Sequence, residues 1–388
     1  MNNNNIQRDS RLDLIRLVAF FLLILCHACD PFNAAATYGA GEANPDFTYW
    51  GAVWGALSRP CVPLFVMLTG ALLLGRKAAG DENPALMPFY RRRILRVLWP
   101  FIIWSVAYYI FPWVLGLAGY GTDAVICFFP WIETTDQSLT PVIGRIAQMP
   151  YNFSYAACHM WYIYMLIGLY LYLPIFDSWV QRATRRQKEA FLLLWGISLF
   201  LPYLTEFVSH YNFGTCDWNA YGTFYYFAGF NGYLLLGHYL YSYVEWPVHR
   251  SLAMAIPLLV AGYMVNLSGY RYVLTFDHPT PLQVELFWTY CTPNVVMMAV
   301  ALFVALLSVK AGGIPFRRQL AHLTLCGFGI YMVHYFFVGP LFAFVSDWGV
   351  PVALRVPFTT VLVFVATWVV VALLHRLLGQ KSGRVILG

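Results

Sequence analysis

Long apolar runs separated by short polar segments recur along the chain, and they predict ten membrane-spanning helices. A helix rises about 1.5 Å per residue, so roughly 20 apolar residues cross a hydrocarbon core of about 30 Å. The run lengths fit helices better than strands. The predicted spans are residues 14–29, 50–74, 95–117, 160–176, 191–208, 223–243, 252–267, 286–309, 323–345 and 352–378.

The basic residues alternate in a way that predicts the orientation of these spans. If the N-terminus is cytoplasmic, 20 of the 24 Lys and Arg residues fall in cytoplasmic segments. Cytoplasmic loops of membrane proteins carry an excess of these residues. The pattern therefore predicts both termini in the cytoplasm. The four exceptions are Arg59, Arg145, Arg271 and Arg355.

Composition supports an all-α polytopic membrane protein with one domain over residues 1–388. The chain is 60% hydrophobic and 11% charged, whereas soluble proteins average about 25% charged residues. We find no internal repeat and no separate soluble domain. The net charge of +6 follows from the loop pattern, so we expect membrane lipids and no nucleic acid as partners.

The eight cysteines do not predict a metal centre. Cys26 and Cys29 form a C-x-x-C pair, but inside a predicted membrane helix and with no second pair nearby. We interpret them as small packing residues rather than zinc or redox ligands. A disulfide between Cys216 and Cys291, in or near predicted outer loops, stays open at this stage.

Four ionisable residues on four different spans are the first candidates for chemistry. His27, Arg59, His159 and His334 all fall between the predicted midplane and the outer third of the membrane. Ionisable groups at that depth are costly and usually face a polar cavity. We therefore predict that they converge. The alternative for each histidine is a core residue hydrogen-bonded to a carbonyl group, as we also consider for His238 and His322.

A second group of basic residues collects at the cytoplasmic ends of spans one to three. Arg16 is notable because it interrupts an apolar run, and a guanidinium pairs bidentately with phosphate oxygens. The pattern predicts an anionic phosphate ligand that enters from the cytosol. For the other basic residues of this group, an alternative explanation is that they only set the orientation of the spans. The group comprises Arg11, Arg16, Arg91, Arg92, Arg93 and Arg96.

Together these features are compatible with acyl transfer across a membrane. A neutral histidine can act as general base toward a hydroxyl, and Arg59 could hold an anionic intermediate or the acceptor. Asp30, one turn beyond His27, could orient its ring, although we favour a solvated loop residue. A transporter or flippase of a lipid-linked sugar is the alternative, but we see no paired halves with matching broken helices.

Five segments, in order, carry a resemblance to a known family. Arg11, Asp13 and Arg16 form R-x-D-x-x-R, with His27 eleven residues after Arg16. The others are SRPCVPLFVMLTGALL (58–73), RRRILRVLWPFIIW (91–104), HMWYIYMLIGLYLYLPI (159–175) and GIYMVH (329–334). The chain resembles the membrane-bound acyltransferase 3 family, whose bacterial members O-acylate envelope carbohydrates. Thr69 and Met67 are mild departures from the family pattern.

The resemblance implies a multi-pass O-acyltransferase of the bacterial inner membrane with no bound cofactor. Acetyl-CoA would be the donor substrate, and an envelope glycan or lipid-linked sugar the acceptor. His27 would be the general base, and Arg16 would contact the donor phosphates, with Arg11, Asp13 and Arg93 at the same site. For Arg59, His159 and His334 the resemblance implies a position in the catalytic site rather than a defined role.

Overall fold

The computed structural model describes residues 8–33, 44–75, 86–129, 136–152, 154–314 and 316–388, without the side chains of 380 and 381. These residues form helices joined by turns, and none of them belongs to a β-sheet. The helices are α1 (Ser10–Ala28), α2 (Pro45–Ser58), α3 (Cys61–Leu73), α4 (Leu86–Leu117), α5 (Thr122–Phe128), α6 (Leu139–Gln148), α7 (Trp161–Arg182), α8 (Arg185–Ser198), α9 (Leu201–Phe207), α10 (Asn231–Tyr243), α11 (Val248–Val273), α12 (Pro281–Val284), α13 (Pro293–Leu307), α14 (Arg317–Val333), α15 (Tyr335–Asp347) and α16 (Val352–Ile386).

The helix lengths confirm an all-α polytopic membrane protein. In the described residues, eight segments are long and apolar enough to cross a membrane, and the bent pair α14–α15 makes a ninth. The eight segments are Ser10–Asn33, Pro45–Leu73, Leu86–Leu117, Tyr155–Arg182, Arg185–Phe207, Val248–Val273, Leu286–Leu307 and Val352–Gly379. The cytoplasmic placement of both termini stays a prediction. Two of the basic residues counted as cytoplasmic, Arg76 and Lys77, lie outside the described residues.

The predicted sixth span, residues 223–243, differs from the structure. Among those residues the only α-helix is α10, after a short 3₁₀ turn at Gly222–Phe224, and its 13 residues extend about 20 Å. Helix α10 packs very closely on α3: a Cβ atom at Gly70 would meet the backbone of Leu234, and one at Gly237 would meet the backbone of Met67. Close approach at two glycines explains how a short helix is held among longer ones.

Helix α1 is the centre of the bundle. Its buried residues point in several directions, and Ile15, Ala19, Ile24 and Ala28 are fully buried. It contacts α2, α3, α13, α14, α15 and α16. A helix that is apolar all round is favoured where neighbours cover every face. The polar residues near its two ends are therefore held inside the assembly.

Two breaks in membrane-spanning segments place polar residues beside the far end of α1. Helices α2 and α3 are separated by Arg59 and Pro60, and proline lacks the amide hydrogen that would continue the helix. Helices α14 and α15 meet at His334 with a bend of 81°. Broken helices within a membrane are tolerated where the backbone is buried in protein or lines a cavity.

Candidate active site

The structure brings three histidines from distant parts of the chain together. His27 lies near the end of α1, His159 in the short 3₁₀ segment Tyr155–Met160, and His334 at the α14–α15 bend. The ring centroid of His334 lies 5.2 Å from that of His27 and 5.2 Å from that of His159. The centroids of His27 and His159 are 6.3 Å apart. The convergence predicted from span depth is therefore present for the three histidines, and the fourth residue, Arg59, lies within electrostatic reach of His27.

His27 is the histidine of the three that solvent reaches. Its side chain is 15% exposed, whereas His159 and His334 are almost completely buried. Nδ1 of His27 lies 2.9 Å from Oδ2 of Asp30. In the neutral ring, Nδ1–H donates to the carboxylate, and this tautomer leaves the Nε2 lone pair available to accept a proton.

Asp30 corrects a sequence-based expectation. We favoured a solvated loop residue, but helical structure continues to Asn33. This continuation puts the Asp30 carboxylate one turn above His27, on the same face of the helix. The hydroxyl of Tyr335 also donates to Asp30, at 3.4 Å.

Two tyrosines of α14 and α15 connect the histidines. The ring of Tyr335 packs edge-on to His27 at 5.1 Å and stacks on His159 at 4.8 Å. The hydroxyl of Tyr331 donates to the backbone carbonyl of His159. Its own carbonyl oxygen lies 2.8 Å from Nδ1 of His334, which fixes the hydrogen of His334 on Nδ1. Nε2 of His334 is buried with no hydrogen-bond partner in the described part of the chain.

Arg59 is a buried cation with unused donors. Its Nε donates to the carbonyl of Gly55 at 3.1 Å, and its guanidinium lies 4.0 Å from the ring centroid of Trp288. Among the described residues, no carboxylate pairs with it and no acceptor bonds its terminal nitrogens. A buried guanidinium without an anion is unfavourable unless a ligand supplies one.

A basic cluster surrounds the other end of α1. Nη1 of Arg16 lies 3.1 Å from Oδ1 of Asp13, which also pairs with Arg8 at 2.5 Å. Arg16, Arg93 and Arg96 all lie within electrostatic reach of Tyr170 on α7. Three guanidinium groups from two helices thus gather around one tyrosine, with Asp13 as their nearby carboxylate. This arrangement can hold an anion.

Arg11 faces another direction. It pairs with Asp9 at 2.8 Å and donates to the carbonyl of Leu307 at 3.4 Å. Five residues separate it from Arg16, which at 3.6 residues per turn corresponds to a rotation of about 140° around the helix. Arg93 and Arg16 both lie within electrostatic reach of Tyr170, whereas Arg11 pairs with Asp9.

Asp9, the partner of Arg11, lies outside the basic cluster. Burial tends to raise the pKa of its carboxyl group, but the hydrogen bonds and charge of Arg11 outweigh burial, and the pKa is lowered. The carboxylate also caps α1 by accepting from the backbone N–H of Arg11. Asp9 and Arg11 therefore stabilise the start of the helix.

A family model described as an acyltransferase domain matches residues 9–375, nearly the whole chain. The chain belongs to the acyltransferase 3 family. No curated protein and no solved structure matches it. The protein is therefore a membrane acyltransferase, and the segments that carried the resemblance all lie within the match.

In this acyltransferase, the eight cysteines are free thiols. Sγ of Cys29 donates to the carbonyl of Leu25 at 3.1 Å, as expected for a packing residue. Cys216 and Cys291 are both free thiols. Within the described ranges, no three His, Cys, Asp or Glu side chains are grouped as a metal site requires.

Several residues of the candidate site could not be selected from the sequence. Tyr335 and Tyr331 flank His334, but nothing in their spacing distinguishes them from the many aromatic residues of the spans. Trp288 is the ring beneath Arg59, from a segment more than 200 residues away. Asp30 is the exception, because its position one turn from His27 can be counted in the sequence.

Proposed function

We propose that this acyltransferase moves an acetyl group from cytosolic acetyl-CoA to a sugar hydroxyl of an envelope polysaccharide or glycolipid, in the bacterial inner membrane. The observation that carries the proposal is the His27–Asp30 pair, 2.9 Å apart, on the helix that also carries Arg16. Eleven residues separate His27 from Arg16, or about 16 Å along the axis. One helix thus links a basic cluster to a general base.

The basic cluster is the proposed donor site. Arg16, Arg93 and Arg96 would bind the phosphate groups of CoA, because guanidinium groups pair with phosphate oxygens through two parallel hydrogen bonds. The flexible pantetheine arm would then run beside α1 toward the histidines. Arg11, which is already paired with Asp9 and Leu307, would contribute to helix stability rather than to binding.

The chemistry begins at the acceptor hydroxyl. Nε2 of His27 takes the proton as the sugar oxygen attacks the thioester carbonyl, and Asp30 stabilises the resulting imidazolium. Negative charge develops on the carbonyl oxygen, where the free guanidinium of Arg59 would stabilise it. The C–S bond then breaks, the CoA thiolate takes the proton from His27, and the products are the sugar ester and CoA.

The acceptor class rests on a further resemblance. The segments FYYFAGFNGYLLLG (224–237) and WTYCTPNVV (288–296) resemble the O-acetyltransferase that acts on enterobacterial common antigen. A surface polysaccharide of that kind is therefore the first acceptor to test. The transport alternative would move a lipid-linked sugar without forming an ester.

Mass spectrometry of envelope polysaccharides tests the proposal directly. Polysaccharides from cells that express the wild-type protein should carry an alkali-labile acetyl group that is missing when the gene is deleted. Return of the acetyl group on re-expression completes the test. Identical spectra from the two strains would contradict the proposed function, and a longer acyl group would contradict the proposed donor.

A further inference from the structure

Two polar groups near His27 and Asp30 have no side-chain partner among the described residues. Glu285 follows α12 and is exposed, and it lies within electrostatic reach of both Arg59 and Asp30. Its carboxylate oxygens make no hydrogen bond or ion pair with any described residue. Arg59 is only 8% exposed, yet its terminal nitrogens also lack partners there. A ligand with both acceptor and donor groups would satisfy both side chains.

Glu285 is exposed, but the protein around it still affects its carboxyl group. Burial raises the pKa of Glu285 above its ordinary value, and the charge of Arg59 offsets only part of that rise. A fully solvated glutamate would show no such desolvation. The carboxyl group is therefore accessible to a ligand and close to other protein groups.

Three aromatic rings pack together near these polar groups. Trp161, the first residue of α7, stacks on Tyr290 with centroids 5.5 Å apart and an interplanar angle of 23°. Phe230, which precedes α10, lies 6.1 Å from Trp161 and 6.4 Å from Tyr290. All three are half-buried. Tyr290 is within electrostatic reach of Arg59 and Glu285, so the rings adjoin the polar groups.

We propose that Trp161, Phe230 and Tyr290, with the carboxylate of Glu285, form a binding subsite for a neutral sugar ring of the acceptor. One face of a pyranose presents C–H groups, which pack on the electron-rich face of an aromatic ring. Its rim presents hydroxyl groups, which donate to a carboxylate. This proposal rests on the proposed function and names the residues that hold its acceptor.

Charge argues against other ligands at this position. Glu285 and Asp30 lie within electrostatic reach of each other, and both repel the phosphate groups of the donor. A lipid chain would leave the carboxylate of Glu285 and the guanidinium of Arg59 without partners, at a cost in desolvation. A neutral ring with hydroxyl groups satisfies the aromatic and polar sides at once.

Acceptor kinetics test the subsite in membrane vesicles that contain the full-length protein. The probe is water-soluble envelope polysaccharide from the deletion strain, titrated by hexose content with labelled acetyl-CoA. We expect Trp161→Ala to raise the apparent KM for polysaccharide about tenfold or more, with the KM for acetyl-CoA within twofold of wild type. Trp161→Phe should recover most of the affinity, and Glu285→Gln should raise the same KM.

A matched control is Trp179→Ala. Trp179 is also half-buried and packs on Phe176 and Phe191, but it lines a separate cavity of about 510 Å³. It should leave the KM for polysaccharide unchanged. If Trp161→Ala does not accumulate in the membrane, Tyr290→Leu takes its place, with the same expected result.

The outcomes separate the subsite from the proposed function. An unchanged KM for polysaccharide in Trp161→Ala or Tyr290→Leu overturns the subsite while acetyl transfer by the wild type stands. An equal rise in both KM values also overturns it, because it indicates a general structural defect. A wild-type protein that transfers no label to carbohydrate overturns both proposals.

Discussion

Nδ1 of His27 and Oδ2 of Asp30 are 2.9 Å apart on successive turns of one helical segment. The carboxylate fixes which ring nitrogen carries the hydrogen, so the other nitrogen can accept a proton. In the proposed mechanism His27 is the general base and Asp30 orients it, and this pair gives the sharpest mutational prediction.

Asp30→Asn should lower kcat for acetyl transfer by about 100-fold, within the range of contributions from general base catalysis. The amide keeps the size of the side chain but cannot stabilise an imidazolium. The KM for acetyl-CoA should stay near the wild-type value, because the donor phosphates are proposed to bind at the other end of α1. Asp123→Asn, an exposed acidic residue on α5, is the control. Full activity of Asp30→Asn would contradict the orienting role.

Arg16 and Arg11 make a matched pair for the donor site. Arg16→Ala should raise the KM for acetyl-CoA tenfold or more, because a charge-assisted hydrogen bond of about 1.5–3 kcal/mol is lost. Arg11→Ala should leave that KM unchanged, because Arg11 is paired with Asp9 and Leu307. Kinetics at saturating polysaccharide measure both. Equal rises for the two variants would show that the cluster acts through net charge alone.

Arg59→Gln should separate activity from stability. Loss of the guanidinium should lower kcat by about 10²–10³-fold, as for removal of one oxyanion donor. The melting temperature in detergent should stay the same or rise, because the variant no longer buries an unpaired cation. The control is Arg271→Gln. Arg271, near the end of α11, makes a cation–π contact with Tyr49 that is partly similar to the contact of Arg59 with Trp288. A lower melting temperature with full activity would assign Arg59 a structural role over Trp288.

The sequence predicted the convergence of His27, His159 and His334 because depth along a membrane helix follows from counting residues. It could also have placed Arg11 and Arg16 on different faces of the helix, because a spacing of five residues rotates the second side chain by more than a third of a turn relative to the first. It could not decide whether Asp30 orients His27 or lies in a solvated loop, because the apolar run ends at Cys29 while the helical structure continues to Asn33.

The partners of Arg59 and His334 required the structure. Trp288 reaches Arg59 through the packing of distant segments, and no local pattern encodes that approach. Likewise, the 81° bend at His334 has no proline or glycine at the break itself. Tertiary contacts determine the approach of Trp288 to Arg59 and the bend at His334. The sequence therefore identified the ionisable residues but not the groups that orient them.

Transfer of label from [¹⁴C]acetyl-CoA to carbohydrate by His27→Ala tests the central claim most directly. Membrane vesicles with equal amounts of wild-type and variant protein are incubated with envelope polysaccharide from the deletion strain. We predict near-complete loss of transfer in His27→Ala with normal membrane insertion, while His238→Ala, which removes a histidine in contact with Lys188, keeps most of the activity. Transfer by His27→Ala at the wild-type rate would contradict the assignment of His27 as the general base.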